Sequence, residues 1–195
     1  GRAPEDAAVL DKNWLQSVDG FPAILSDAWL NARITTLHAC SDLWACGATV
    51  TSAQVFVTVP NIQANLQENL LEQILSGIKG ALEEQRATLL GGHTLESRDQ
   101  TANPASMGIQ IGLCVNGQQQ SDLNPWTKGG LRSGDMLLMS KPIGTGVLFA
   151  AAMHHKTNSV YLDKAIELMA TSQHHLIGQL RELEISPITI SSLIY

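Results

Sequence analysis

Ala7-Ala8-Val9-Leu10-Asp11-Lys12-Asn13-Trp14-Leu15-Gln16-Ser17-Val18-Asp19-Gly20-Phe21 decides the architecture of the chain. Two short apolar segments, 7–10 and 15–21, flank Asp11-Lys12-Asn13, a polar triplet suited to a tight turn between strands. A hairpin at this point makes at least one strand pair antiparallel. The remainder alternates strands with long helices, so the sheet is predicted to be mixed rather than wholly parallel. This is an α/β or α+β arrangement with helices over one sheet face.

Outward from the hairpin, Ser26-Asp27 carries an N-cap signal. Trp29, Leu30, Ile34, Leu37, His38, Leu43 and Trp44 then recur at helical spacing until Gly47, which predicts one largely buried helix over 27–47. Residues 53–59 are β-branched and partly alternating, a strand ended by Pro60, with Asn61 as a cap for a second helix. From Ile62 to about Glu84, Leu66, Leu70, Leu71, Ile74, Leu75, Ile78 and Leu82 mark that helix as amphipathic. Residues 87–90 form a strand running into Gly91-Gly92-His93-Thr94, where the glycine pair suggests a turn. Residues 107–115 alternate as a further strand that turns at Asn116-Gly117.

Between 118 and 134 the composition shifts to Gln, Ser, Gly and Asp around Pro125, the signature of a domain boundary. Residues 1–124 are therefore expected to form one domain and 125–195 the incomplete start of a second. In that second part, Met136 to Met139 is predicted as a strand, Pro142 to Gly146 as the turn into an alanine-rich helix, and 162–183 as another helix.

The chain has 195 residues, 44% of them hydrophobic, enough for a real core. Lys and Arg total 12 against 18 Asp and Glu, a net charge of −6 without a basic run, so nucleic acid is not an expected partner. No apolar run reaches the roughly 18 residues of a membrane span. Three cysteines without a Cys-x-x-Cys pair fit a reducing cytoplasm and are expected to fill core space. An acidic protein can still bind a nucleotide if divalent cations and backbone N–H groups neutralise the phosphates, which directs attention to the aspartates.

Asp6 precedes a strand, Asp19 ends one, and Asp42 lies within the buried helix. Mg2+ prefers hard oxygen ligands and takes one or two carboxylates plus phosphate oxygens, so Asp residues converging at strand ends could hold Mg-ATP. Taken singly, a cap or turn is the ordinary reading of such an Asp. Asp42 differs, because a carboxylate in an apolar helix needs a partner or a cation to offset its desolvation. His38, four residues earlier on the same face, is either a hydrogen-bond partner of that carboxylate or of a nucleotide, or a satisfied core histidine. Gly91 to Thr94 offers close backbone approach and N–H groups to an anion. Lys141 is expected to be solvated, as are the neighbouring pairs His154-His155 and His174-His175, which diverge on a helix and do not make a metal pair.

In their order along the chain these segments resemble selenophosphate synthetase, of the aminoimidazole ribonucleotide synthetase-like superfamily, and above all the form fused to a pyridine-nucleotide oxidoreductase. Glu5-Asp6-Ala7-Ala8-Val9 resembles the family's Asp-Asp-Ala-Ala-Val metal motif, and Val18-Asp19-Gly20-Phe21 its strand-end Asp segment. His38-Ala39-Cys40-Ser41-Asp42-Leu43-Trp44-Ala45-Cys46-Gly47-Ala48 is similar to its Ser-Asp-Leu helix, and Gly91-Gly92-His93-Thr94 to its Gly-Gly-His-Thr. Gly129-Gly130-Leu131, Gly134-Asp135 and Lys141 to Gly146 are similar to the start of its second domain, so the likeness spans roughly 3–156.

The resemblance implies a homodimer formed through the sheet, with ATP phosphates held by Mg2+. Asp6, Asp42 and Asp19 would be metal ligands. Glu5, Asp19, His38, Asp42 and Gly91, Gly92, His93 and Thr94 would lie at ATP, the last four from the same chain or from the partner subunit. The implied reaction converts ATP, selenide and water into selenophosphate, AMP and orthophosphate. The family's segment with a reactive Cys or selenocysteine, and its later Asp-Val-Thr-Gly-Phe-Gly motif, have no counterpart here, so the chain is expected to be a truncated Mg-ATP-binding part inactive alone. Two other readings are a thiamine monophosphate kinase-like enzyme and a catalytically silent nucleotide-binding dimerisation module.

Overall fold

The computed structural model describes residues 5–97, 108–120 and 123–182. The hairpin forms as the sequence predicts: β1 (Ala8–Asp11) and β2 (Trp14–Pro22) pair antiparallel around Lys12-Asn13. β3 (Thr49–Pro60), β4 (Thr88–Ser97) and β5 (Gln110–Gln118) complete a five-stranded sheet in the order β1-β2-β5-β3-β4. Only β3 and β4 are parallel, as they must be when a helix crosses over between them. The sheet is therefore mixed.

Helix α1 (Ala28–Ala45) starts at Asp27, whose carboxylate accepts the N–H of Leu30 at 2.8 Å. It is buried on most sides, which is why its apolar residues do not form a single stripe. Helix α2 (Ala64–Glu83) is amphipathic and buries Leu70, Ile74, Ile78 and Leu82, while Leu66 stays half exposed. Its N-cap is Gln63, which makes no side-chain capping bond, so Asn61 does not serve as the predicted cap. The two helices pack on each other and, with the inward residues Leu15, Val55, Leu113 and Val115, form the core.

The opposite sheet face carries no helix among the described residues. Trp14, Val18, Phe56 and Leu95 are exposed there, Val18 at 73%.

Three expectations about strands give way. Gly91-Gly92 is not a turn: β4 runs straight through it, with a bulge at Leu90 where the β3 register steps from Ala53↔Leu89 to Gln54↔Gly91. A Cβ at Gly92 would overlap the carbonyl oxygen of Val55, so glycine is required by the close approach of β3. Asn116-Gly117 likewise lies inside β5, paired to both neighbours. Met136 to Met139 forms no strand, and all four residues are at least 69% exposed. An apolar run becomes a strand only where a neighbour accepts its backbone hydrogen bonds, and no described strand lies beside it.

After this segment come α3 (Thr145–Met153), α4 (Ser159–Ala170) and α5 (His175–Glu182). The helix predicted over 162–183 is thus two helices, broken at Thr171-Ser172, where Ser172 is buried and its hydroxyl meets His174 Nδ1 at 2.9 Å. α4 is anchored to α1 by Arg33, whose Nε donates to the Ala170 carbonyl at 2.8 Å and whose guanidinium pairs with Glu84 at 2.7 Å. No helix among the described residues is long and apolar enough to cross a membrane.

Candidate nucleotide and metal site

Side chains two apart on a strand share a face, and so do side chains four apart on a helix. Ser17 and Asp19 on β2 therefore meet Asp42 and His38 on α1 as two rungs of one contact. Asp19 Oδ2 lies 2.8 Å from His38 Nε2, and Ser17 donates its hydroxyl to Asp42 Oδ2 at 2.6 Å. Asp19 also accepts the N–H of Gly20 at 2.6 Å, and the Phe21 ring packs edge-on to His38 with centroids 5.3 Å apart. Ser17 offsets part of the desolvation of Asp42, a role that residue type alone does not reveal. Period-two spacing from Asp19 is the signal that could have found it.

Asp6, with its side chain 12% exposed, sits at the start of the hairpin and pairs with Lys128 Nζ at 2.7 Å. The backbone N–H of Lys128 donates to Glu5 Oε2 at 2.8 Å. The Lys128 ammonium is held above its usual range by the hydrogen bond to Asp6 and by the charges of Asp6, Asp42 and Glu5, which outweigh its slight burial. The same three carboxylates act on Cys46, whose thiol is pushed up mainly by burial. Glu5, Asp6 and Asp42 thus share one acidic neighbourhood next to the Asp19–His38 rung. No signal in the sequence points to Lys128, which lies more than 120 residues away from Asp6.

Among the described residues, no three His, Cys, Asp or Glu side chains converge as a ready-made metal cage. Mg2+ does not need one, since it usually takes one or two carboxylates and completes its shell with phosphate oxygens and water. The donor set fits: hard oxygens only, one of them already bound to a cation, the Lys128 ammonium.

Gly91 to Thr94 is not brought to these carboxylates within one chain. β4 is three strands from β2 in the sheet order, about 14 Å at the usual strand spacing. All four residues are exposed on an edge strand.

A cleft opens beside the two rungs. His38, Ser41 and Trp44 of α1 form one wall, and Lys141, Thr145, Met169 and Gln173 lie opposite. Lys141 is not solvated as expected. Its Nζ donates to the carbonyls of Leu168 at 2.6 Å and Thr171 at 2.5 Å, closing the C-terminal end of α4, and partial burial lowers its pKa.

Cys40 and Cys46 fill core space, as expected. Burial pushes the Cys40 thiol up to about 12, ahead of a lowering hydrogen bond from Gln85 and a raising charge from Asp42.

Comparison with known proteins bears on the chain as a whole. The family described as AIR synthase related protein, N-terminal domain, matches residues 4–114. The chain is 35% identical over 154 residues to a selenide, water dikinase of Nitratidesulfovibrio vulgaris, covering 77% of this chain and 41% of that protein. It is 27% identical to the selenide, water dikinase of Methanocaldococcus jannaschii, covering 92% and 52%. The chain thus spans about half the length of the curated relatives it matches. Among solved structures, thiamine monophosphate kinase from Aquifex aeolicus superposes with a TM-score of 0.69 at 16% identity, covering 90% of this chain and 58% of that one. The hydrogenase maturation protein HypE in complex with ATP gives 0.66 at 14%, covering 89% and 49%. At such identities the likeness shows the fold.

Proposed function

Because this chain belongs to the AIR synthase-related family through its N-terminal domain, we propose that it is the Mg-ATP-binding part of a selenide, water dikinase. That enzyme converts ATP, selenide and water into selenophosphate, AMP and orthophosphate. The observation that carries the reading is the double rung between β2 and α1, with Asp19 on one rung and Asp42 on the next, and with Asp6 and Asp42 both acting on Lys128. The identity of 27–36% to proteins named selenide, water dikinase supports the substrate.

In this reading Asp6, Asp42 and Asp19 hold Mg2+, while Glu5 and His38 line the nucleotide. Bound Mg2+ supplies charge neutralisation at the phosphate oxygens, which phosphoryl transfer needs more than it needs a special protein nucleophile. Ser17 holds the Asp42 carboxylate in place, and His38 does the same for Asp19. Two copies associate through the bare sheet face, each placing Gly91, Gly92, His93 and Thr94 at the other's nucleotide. The sheet with α1 and α2, residues 1–124, is the binding and dimerisation domain, and 125–195 begins the next.

Calorimetric titration with ATP tests this. Binding is expected only with Mg2+ present, and Asp42→Ala is expected to weaken it by at least roughly 10-fold. Binding that ignores Mg2+, or an undiminished Asp42→Ala variant, overturns the reading. With selenide supplied to the complete gene product, AMP release is expected. ADP release with thiamine phosphate would instead establish the simple kinase whose fold this chain shares.

A further inference from the structure

Asp6, one of the three metal ligands of the proposed function, is already paired with a cation belonging to the chain itself. The ammonium of Lys128 lies 2.7 Å from Asp6 Oδ1, within electrostatic reach of Glu5 and Asp42. We propose that Lys128 is a tethered competitor of the divalent cation: it satisfies Asp6 until metal arrives, and must be displaced for metal to bind.

The tether is visible in the backbone. Lys128 donates its own N–H to Glu5 at 2.8 Å, and two residues earlier Trp126 donates its N–H to the Cys46 carbonyl at 3.0 Å. The Trp126 ring lies against Gly47 at the end of α1. Arg181 of α5 stacks over that ring at 6.0 Å and donates to the Gly47 carbonyl, pressing the segment down from outside. The main chain is therefore fixed on both sides of Thr127, and Lys128 can reach Asp6 without searching for it.

The side chain itself is free to leave. It is 40% exposed. Its four-carbon stem ends in a compact, well-hydrated ammonium. The lysine end of the pair faces solvent although Asp6 does not, so the ammonium can be rehydrated as a divalent cation with twice the charge takes its place on the carboxylate. In the metal-free protein the pair spares Glu5, Asp6 and Asp42 from uncompensated mutual repulsion.

The inference rests on the metal assignment above, and its test is separable from it. Mn2+ is titrated without nucleotide, with free Mn2+ read by electron paramagnetic resonance, against the full chain and its Lys128→Met and Lys128→Gln variants. Removing the competitor is expected to tighten Mn2+ binding by about 2- to 5-fold in both variants. Independently, acetylation of Lys128 in the unaltered protein, followed by mass spectrometry, is expected to speed up when Mn2+ is added, because the displaced ammonium enters solvent. Equal affinities together with an unchanged acetylation rate overturn the proposal and leave the metal site standing. Absence of nucleotide-free Mn2+ binding in all three proteins also overturns it, whereas the nucleotide reading stands or falls on the ATP calorimetry.

Discussion

Asp42 and Cys40 are two residues apart on α1 and meet opposite environments. Asp42 turns toward β2 and finds Ser17, whereas Cys40 is fully buried and touches Gln85 Nε2 at 3.4 Å. With its folded pKa raised to about 12, Cys40 keeps its proton in the native state over a range where the unfolded chain has lost it. Protons bound to the native state in excess favour it at low pH, so this contribution is fully present below about 8.5, the unperturbed thiol value. It is lost as pH rises toward 12. Thermal unfolding followed from about pH 8 to 11 is therefore expected to show a decline that is shallower in Cys40→Ala. Parallel declines in the two proteins would mean that Cys40 does not contribute. The residue scale is only half legible from sequence. Asp6, Asp19, Asp42 and His38 stand out by residue type and spacing, but Ser17 is a common residue on a strand and Lys128 a common residue in a loop. Their roles come from contacts that chain topology creates.

Between α1 and α2 the packing is set by one glycine. A Cβ at Gly77 would overlap the Trp29 carbonyl oxygen and press on the Ala32 methyl group, so Gly77→Ala forces α1 and α2 apart at this point. A loss of about 1–3 kcal/mol is expected in urea denaturation, against the small gain that alanine brings to an unconstrained helix. Unchanged or increased stability would show that the contact can relax. The long elements are the legible ones: α1 and α2 carry full turns of apolar periodicity, and the hairpin is punctuated by Lys12-Asn13. Glycine mislead at Gly91-Gly92 and at Asn116-Gly117, because a residue that permits a turn also permits two strands to lie close. Met136 to Met139 misleads for the reverse reason: composition favours a strand, but only a neighbouring strand makes one.

At the scale of the molecule, the sheet is covered on one face and bare on the other. Exposed Trp14, Val18, Phe56 and Leu95 are spread over β2, β3 and β4, too many large apolar side chains for a face that serves only water. The proposed homodimer covers them, and it also resolves the separation between β4 and the carboxylates, since a partner can bring its own Gly91 to Thr94 across. Sedimentation velocity is expected to show a dimer for the unaltered chain and a monomer for Val18→Asp, which puts a charge on that face. A monomeric unaltered chain, or a dimeric variant, would count against this surface. No sequence pattern identifies which face of a sheet meets a partner. The mixed topology, by contrast, is legible directly from the leading hairpin.

The two rungs joining β2 to α1 repeat at intervals of two and four residues, each the natural step of its own element. Length is consequently frozen there. Inserting or deleting a single residue inside 17–19 or 38–42 would turn one partner of a rung away, and its neighbour with it, and the connecting stretch is pinned as well, by the Ala23 N–H on the Ile109 carbonyl, the Ile24 N–H on Asn31 and the Asp27 cap of α1. Changes of length in descendants of this gene are thereby directed away from the stretch that carries the two rungs.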